Sequence, residues 1–123
     1  MNILDGTTTF MQKAGQPIGE HFNNPQLRRL RIRLLAEEML EYVTAERDDN
    51  LVEAVDGLLD IIVIAWGTLL SYVGEDKAKA AEAEVVRSNL DKVIGEGLPI
   101  FREDGKVMKP EGWRPPDIAK AIS

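Results

Sequence analysis

Residues 25–74 read PQLRRLRIRLLAEEMLEYVTAERDDNLVEAVDGLLDIIVIAWGTLLSYVG, and this stretch decides the fold. Asn24 stands before Pro25, which combines an N-cap residue with a proline at the first helical position, where its missing N–H is not needed. From there Leu27, Leu30, Leu34 and then Tyr42 or Ala45 recur at spacings of three and four or their sums, with no glycine between. This period predicts an amphipathic helix over about 25–46. Asp48-Asp49-Asn50 breaks it. Asn50 then caps a second helix, with Glu53 three residues on at capping-box spacing. From Leu51 to Val73 that helix is apolar nearly all round, so burial on most sides is expected, and Gly74 ends it.

Outward from this pair the signals weaken. The first 24 residues hold Gly6, Gly15, Pro17 and Gly19 and leave room for one short helix around Thr7–Ala14. A third long helix, rich in Ala, Lys and Glu, is expected over about Glu75–Ile94, up to Gly95-Glu96-Gly97. The segment from about 97 to 123 holds four of the six prolines and a turn at Glu103-Asp104-Gly105-Lys106, where Ile100–Phe101 could pair with Val107–Met108. Asp117 is placed to cap one last helical turn. The expected fold is all-α: an antiparallel helical hairpin plus a third long helix, within one domain over 1–123 and assembled into an oligomeric bundle.

Composition narrows the chemistry. The 123 residues contain no cysteine and one histidine, His21, which removes thiolate metal sites and cysteine nucleophiles and disfavours a multi-histidine zinc site. A net charge of −6 argues against a general nucleic-acid binder. The most apolar run, Ile61–Leu70, is about half the roughly 20 residues that cross a bilayer. No signal peptide is visible at MNILDGTTTF, so a cytoplasmic protein without membrane or nucleic-acid partners is expected.

Carboxylates on faces that ought to be apolar are the informative anomaly. Glu38 and Glu41 interrupt the stripe Leu27, Leu30, Leu34, Ala45. Asp56 and Asp60 are the only charged residues between Ala54 and Leu70. An unpaired buried carboxylate costs several kcal/mol by order of magnitude, and a hard divalent cation such as Mg²⁺ removes that cost by taking oxygen ligands from facing helices. Glu37 lies four residues after Arg33 and can pair with it, and Glu53 is explained by the capping box. Arg28, Arg29, Arg31 and Arg33 read as a solvated basic face, His21 as surface and Trp66 as core. Arg87, Asn89 and Lys92 place two cations and an amide on the third long helix, suited to phosphate contact.

Glu37-Glu38-Met39-Leu40-Glu41 forms an EExxE motif followed by a second acidic helix, and in this the chain resembles the all-α nucleoside triphosphate pyrophosphohydrolases. That superfamily includes MazG-like enzymes, dimeric dUTPases, dCTP pyrophosphatases and phosphoribosyl-ATP pyrophosphohydrolases. Four blocks carry the resemblance in order: LRIRLLAEEMLE, VDGLLDIIVIAWGT, EVVRSNLDK and DGKVMKPEGWRPPDI. The last two look most like the small phage and bacterial MazG-like proteins, which include a dUTP-hydrolysing branch. The resemblance implies Mg²⁺, with Mn²⁺ as a substitute, on Glu38 and Glu41 and on an ExxD of the next helix. Here that ExxD is either Glu53-x-x-Asp56 or a register ending at Asp60, with Gly57 where the glutamate would stand. Asp56 and Asp60 are the favoured ligands, with Glu53 as the reserve ligand or a base.

The resemblance further implies nucleotide contacts from Arg87, Asn89, Lys92, Lys109 and Arg114 and a homodimer or homotetramer; beside a metal-bound water, Glu37 or Glu41 is placed to act as a general base or to orient it. The expected function is Mg²⁺-dependent cleavage of a nucleoside triphosphate, dUTP or dCTP above others, to monophosphate and pyrophosphate. Phosphoribosyl-ATP hydrolysis and a non-catalytic helical oligomer held by ion pairs are the alternatives.

Overall fold

The computed structural model describes residues 1–123, and its regular structure is helical throughout. The two asparagine caps start the long helices where the sequence places them. Asn24 Oδ1 accepts the Leu27 N–H at 3.1 Å and opens α2, Pro25–Arg47. Asn50 Oδ1 accepts the Glu53 N–H at 3.1 Å and opens α3, Leu51–Val73. The short N-terminal helix, α1, begins earlier than expected and spans Ile3–Ala14. Asn2 is the reason: its side chain accepts the Asp5 N–H at 2.9 Å and supplies a cap upstream of the glycine at position 6. Gly15 ends α1 in the left-handed region, φ 68°, and its N–H returns to the Gln12 carbonyl.

Residues 1–75 form one compact unit, in which α1 and α2 both pack on α3. Met11, Leu27, Ala45, Ala54, Trp66 and Leu70 are its buried apolar residues. Trp66 is core, as expected, and its Nε1–H donates to Thr8 Oγ1 at 3.0 Å, tying α3 to α1. The loop between α1 and α2 is strapped to the end of α3. Ser71 Oγ donates to the Pro17 carbonyl, and the Gly19 and His21 N–H groups donate to the Leu70 and Ser71 carbonyls. Facing residues step in opposite directions along α2 and α3: Arg31 meets Gly67, and Tyr42 meets Gly57.

The expectation that α3 is buried on most sides does not hold within one chain. Leu51 and Val52 are 76% and 75% exposed, and Val55, Leu58, Leu59, Ile62 and Leu69 are exposed as well. Two helices alone cover only part of an all-round apolar surface. By length and composition α3, with 23 residues, is long and apolar enough to cross a membrane, although Glu53, Asp56 and Asp60 lie along it.

Residues 76–123 form a second compact unit. Helix α4, Glu75–Leu90, stops short of the expected Ile94. Beyond Leu90 the chain turns more tightly, with the Lys92 and Val93 N–H groups bonding only three residues back. The expected pairing around Glu103–Lys106 is reduced to a single antiparallel bridge, Phe101 with Val107, and the Arg102–Asp104 ion pair spans its turn. Asp117 caps α5, Ile118–Ala121, as expected, its side chain accepting the Lys120 N–H at 3.1 Å.

Candidate metal centre

The close packing of α2 on α3 builds the site. Gly57 is buried, and a Cβ there would lie 3.2 Å from the Cα of Tyr42. With no side chain between them, the backbones approach, and the next acidic residue on α3 comes level with the acidic turn of α2. One carboxylate oxygen from each of Glu38, Glu41 and Asp60 lies within 4.8 Å of the others. Glu38 is the most constrained of the three. Its Oε2 is enclosed and has no hydrogen-bond partner. Burial pushes its carboxyl above the ordinary glutamate range, and the charges of Glu41, Asp60 and Asp56 push the same way, as does a hydrogen bond to Glu41.

An arrangement of this kind is unfavourable on its own, because like charges crowd a desolvated oxygen. A divalent cation offsets both the lost solvation and the repulsion among the carboxylates, and an all-oxygen set suits a hard ion. The three residues fit a metal on the strength of that orphaned oxygen and the convergence of the carboxylates.

The other acids named from the sequence stand around this group. Asp56 is exposed and adds its charge towards Glu38, but falls outside the three. Asp60, not Glu53, completes the group. Glu53 is exposed in the first turn of α3, and with Glu41, Asp48 and Asn50 it lines an open cleft of about 370 Å³. Glu37 is exposed, and no ion pair joins it to Arg33.

The cationic candidates lie in the second unit, where their own neighbours engage them. Arg87 uses all five of its N–H donors: Glu84 takes two, Asp91 one, and the carbonyls of Arg114 and Pro115 one each. A phosphate at Arg87 would have to displace one of these bonds. Glu84, held by Arg87 and by the Asp117 N–H, has its carboxyl lowered to about 2. Lys92 donates to Asn89 Oδ1 at 3.3 Å, and its Nζ lies 4.9 Å from the centre of the Trp113 ring. Lys109 Nζ approaches the same ring at 5.1 Å. The Arg114 side chain is exposed beside Glu84 in an open cavity of about 740 Å³.

Arg31 departs from its expected place on a solvated face: it is buried, at 7% exposure. The signal was in the spacing, since Arg31 falls four residues after Leu27 and three before Leu34, on the apolar stripe. Gly67 across the interface makes the room, and a Cβ there would lie 3.2 Å from Arg31 Nη1. No family model matches the chain, and no curated protein gives a significant match.

Proposed function

We propose that this protein is a Mg²⁺-dependent nucleoside triphosphate pyrophosphohydrolase of the MazG-like kind, acting on deoxynucleotides such as dUTP or dCTP in the cytoplasm. The observation that carries the reading is the enclosed, unpartnered Oε2 of Glu38 among the carboxylates of Glu41 and Asp60. The EExxE motif at Glu37–Glu41 and the resemblance of the four sequence blocks give that cluster its chemistry.

Glu38, Glu41 and Asp60 would hold the ion, with Asp56 adding negative charge at its edge. Bound there, Mg²⁺ would supply charge neutralisation for the phosphates and a more acidic water. Glu37, exposed and free of Arg33, is the residue suited to take the proton of the attacking water. The opposite stepping of facing residues along α2 and α3 supports an antiparallel hairpin as the scaffold. The exposed apolar surface of α3 supports its covering by a second copy of the chain, in a homodimer or homotetramer.

That same surface is what favours the second reading, a non-catalytic helical oligomer. Incubation with dUTP, dCTP, the common NTPs and phosphoribosyl-ATP, in Mg²⁺ and in EDTA, separates the two. Monophosphate and pyrophosphate formed only with Mg²⁺ support the enzyme, and the fastest substrate names its branch. No turnover, with a melting temperature indifferent to Mg²⁺, supports the oligomer.

A further inference from the structure

In the second unit, little more than one turn of α4 holds a segment of backbone far along the chain. Trp113 Nε1–H donates to the Ser88 carbonyl at 2.7 Å, and the Asp117 N–H donates to Glu84 Oε1 at 2.8 Å. Between them Arg87 Nη1 and Nη2 donate to the carbonyls of Arg114 and Pro115 at 3.2 and 3.0 Å. Residues 113–117 have no regular structure of their own, so these bonds set their course. The other three acceptors of Arg87 are carboxylate oxygens of Glu84 and Asp91. An oxyanion approaching Arg87 would therefore meet two negative charges and no free donor. Arg114 is the opposite case. Its carbonyl is held, but its guanidinium is exposed beside Glu84 with no hydrogen bond or ion pair of its own. With Lys120 it walls the open cavity of about 740 Å³.

We propose that Arg87 is a positioning residue that takes no oxyanion itself, and that by fixing the 114 and 115 carbonyls it presents the Arg114 guanidinium to one. The class of oxyanion, a phosphate or polyphosphate, rests on the pyrophosphohydrolase reading. Holding the backbone from which Arg114 springs moves part of its ordering cost from binding to folding. Lys120 is set by the same clamp, because Asp117 caps its helix and is itself bonded to Glu84. The two possible roles of Arg87 differ in the sign of one substitution. Were Arg87 the ligand, removing Glu84 would free two donors and delete a negative charge, and the anion would bind more tightly. With Arg87 as the clamp, the same change loosens the segment that carries Arg114, and the anion binds more weakly.

The test titrates ¹⁵N-labelled full-length protein with inorganic pyrophosphate in EDTA, which keeps metal-bound pyrophosphate out of the acidic group. Backbone amide shifts at 113–117 report binding, and hydrogen exchange at the Asp117 N–H reports whether the segment is held. Wild type should give saturable shifts. Arg114→Gln should weaken binding roughly tenfold or more with Asp117 still protected, because only the presented charge is lost. Glu84→Ala and Arg87→Lys should weaken binding several-fold and speed exchange at Asp117. The lysine keeps the charge of Arg87 but cannot span its five acceptors.

No saturable shift in wild type, or undiminished binding in Arg114→Gln, overturns the proposal. Tighter binding in Glu84→Ala, or wild-type binding in Arg87→Lys, overturns it as well. Glu84→Ala replaces an exposed helical side chain with the best helix former, so it stays interpretable if Arg87→Lys fails to fold. Pyrophosphate binding with the expected pattern, but no turnover of any triphosphate, would uphold the two arginine roles and remove the enzyme reading. Mg²⁺-dependent turnover with a KM that Arg114→Gln leaves unchanged would do the reverse.

Discussion

Gly57 on α3 stands directly against the backbone of Tyr42 on α2: a Cβ at position 57 would lie 3.2 Å from both the Cα and the Cβ of Tyr42. This contact sets how closely the two helices run beside Glu38, Glu41 and Asp60. Gly57→Ala gains helix propensity of up to about 1 kcal/mol, but overpacking against rigid backbone costs about 1–3 kcal/mol. The steric cost outweighs the gain, so chemical denaturation should show a net loss of up to about 2 kcal/mol. Metal affinity should fall with it, because the acidic turns are forced apart.

The acidic group should weaken the metal-free protein. A carboxyl whose folded pKa is raised contributes most below its ordinary range, and that contribution is lost as pH rises through the raised value. Glu38 is raised by burial and by its acidic neighbours, so metal-free stability should fall as pH rises above the ordinary glutamate range. Glu38→Gln should flatten that fall and raise the metal-free melting temperature. Wild type should gain stability in Mg²⁺ or Mn²⁺, and Glu38→Gln should lose that gain. Thermal melts over pH, with EDTA and with metal, check each part.

Glu84 behaves in the opposite sense. Arg87 and the Asp117 N–H hold its carboxyl down to about 2, from the ordinary 4.5. Its contribution is therefore complete above about 4.5 and is lost as pH falls through about 2. Glu84→Gln should remove this acid-range dependence, and it should loosen the segment around Pro115–Asp117 that Glu84 and Arg87 hold. Proton-resolved titration of Glu84 and hydrogen exchange at Asp117 measure the two effects.

The apolar surface of α3 should be covered in solution. Leu58 and Ile62 stand one turn apart on it, both exposed. Sedimentation should find a dimer or tetramer at micromolar concentration, and Ile62→Lys should shift it towards monomer with the helical signal retained. A monomeric wild type would remove the oligomer from the proposed function.

The two long helices were legible because their starts depend on local chemistry: Asn24 before Pro25, and Asn50 three residues before Glu53. The acids of the candidate cluster stand out in the sequence because they break an apolar period. Its spacing puts Arg31 on the apolar stripe although it stands among Arg28, Arg29 and Arg33, but the room for its burial comes from Gly67 across the interface. No period within one helix reports which residue faces it on another. The sequence favoured Asp60 over Glu53 but grouped Asp56 with it, and only the approach of the two helices at Gly57 and Tyr42 leaves Asp56 outside the three converging carboxylates. Likewise the donors of Arg87 looked available because the Arg114 and Pro115 carbonyls that take two of them lie far along the chain.

The most direct measurement is product analysis of dUTP with wild type and Asp60→Asn, in Mg²⁺ and in EDTA. Wild type should release dUMP and pyrophosphate in Mg²⁺ alone, and Asp60→Asn should lose that activity while its circular dichroism spectrum is unchanged. Equal Mg²⁺-dependent release by a folded Asp60→Asn protein, or release of orthophosphate in place of pyrophosphate, would contradict it.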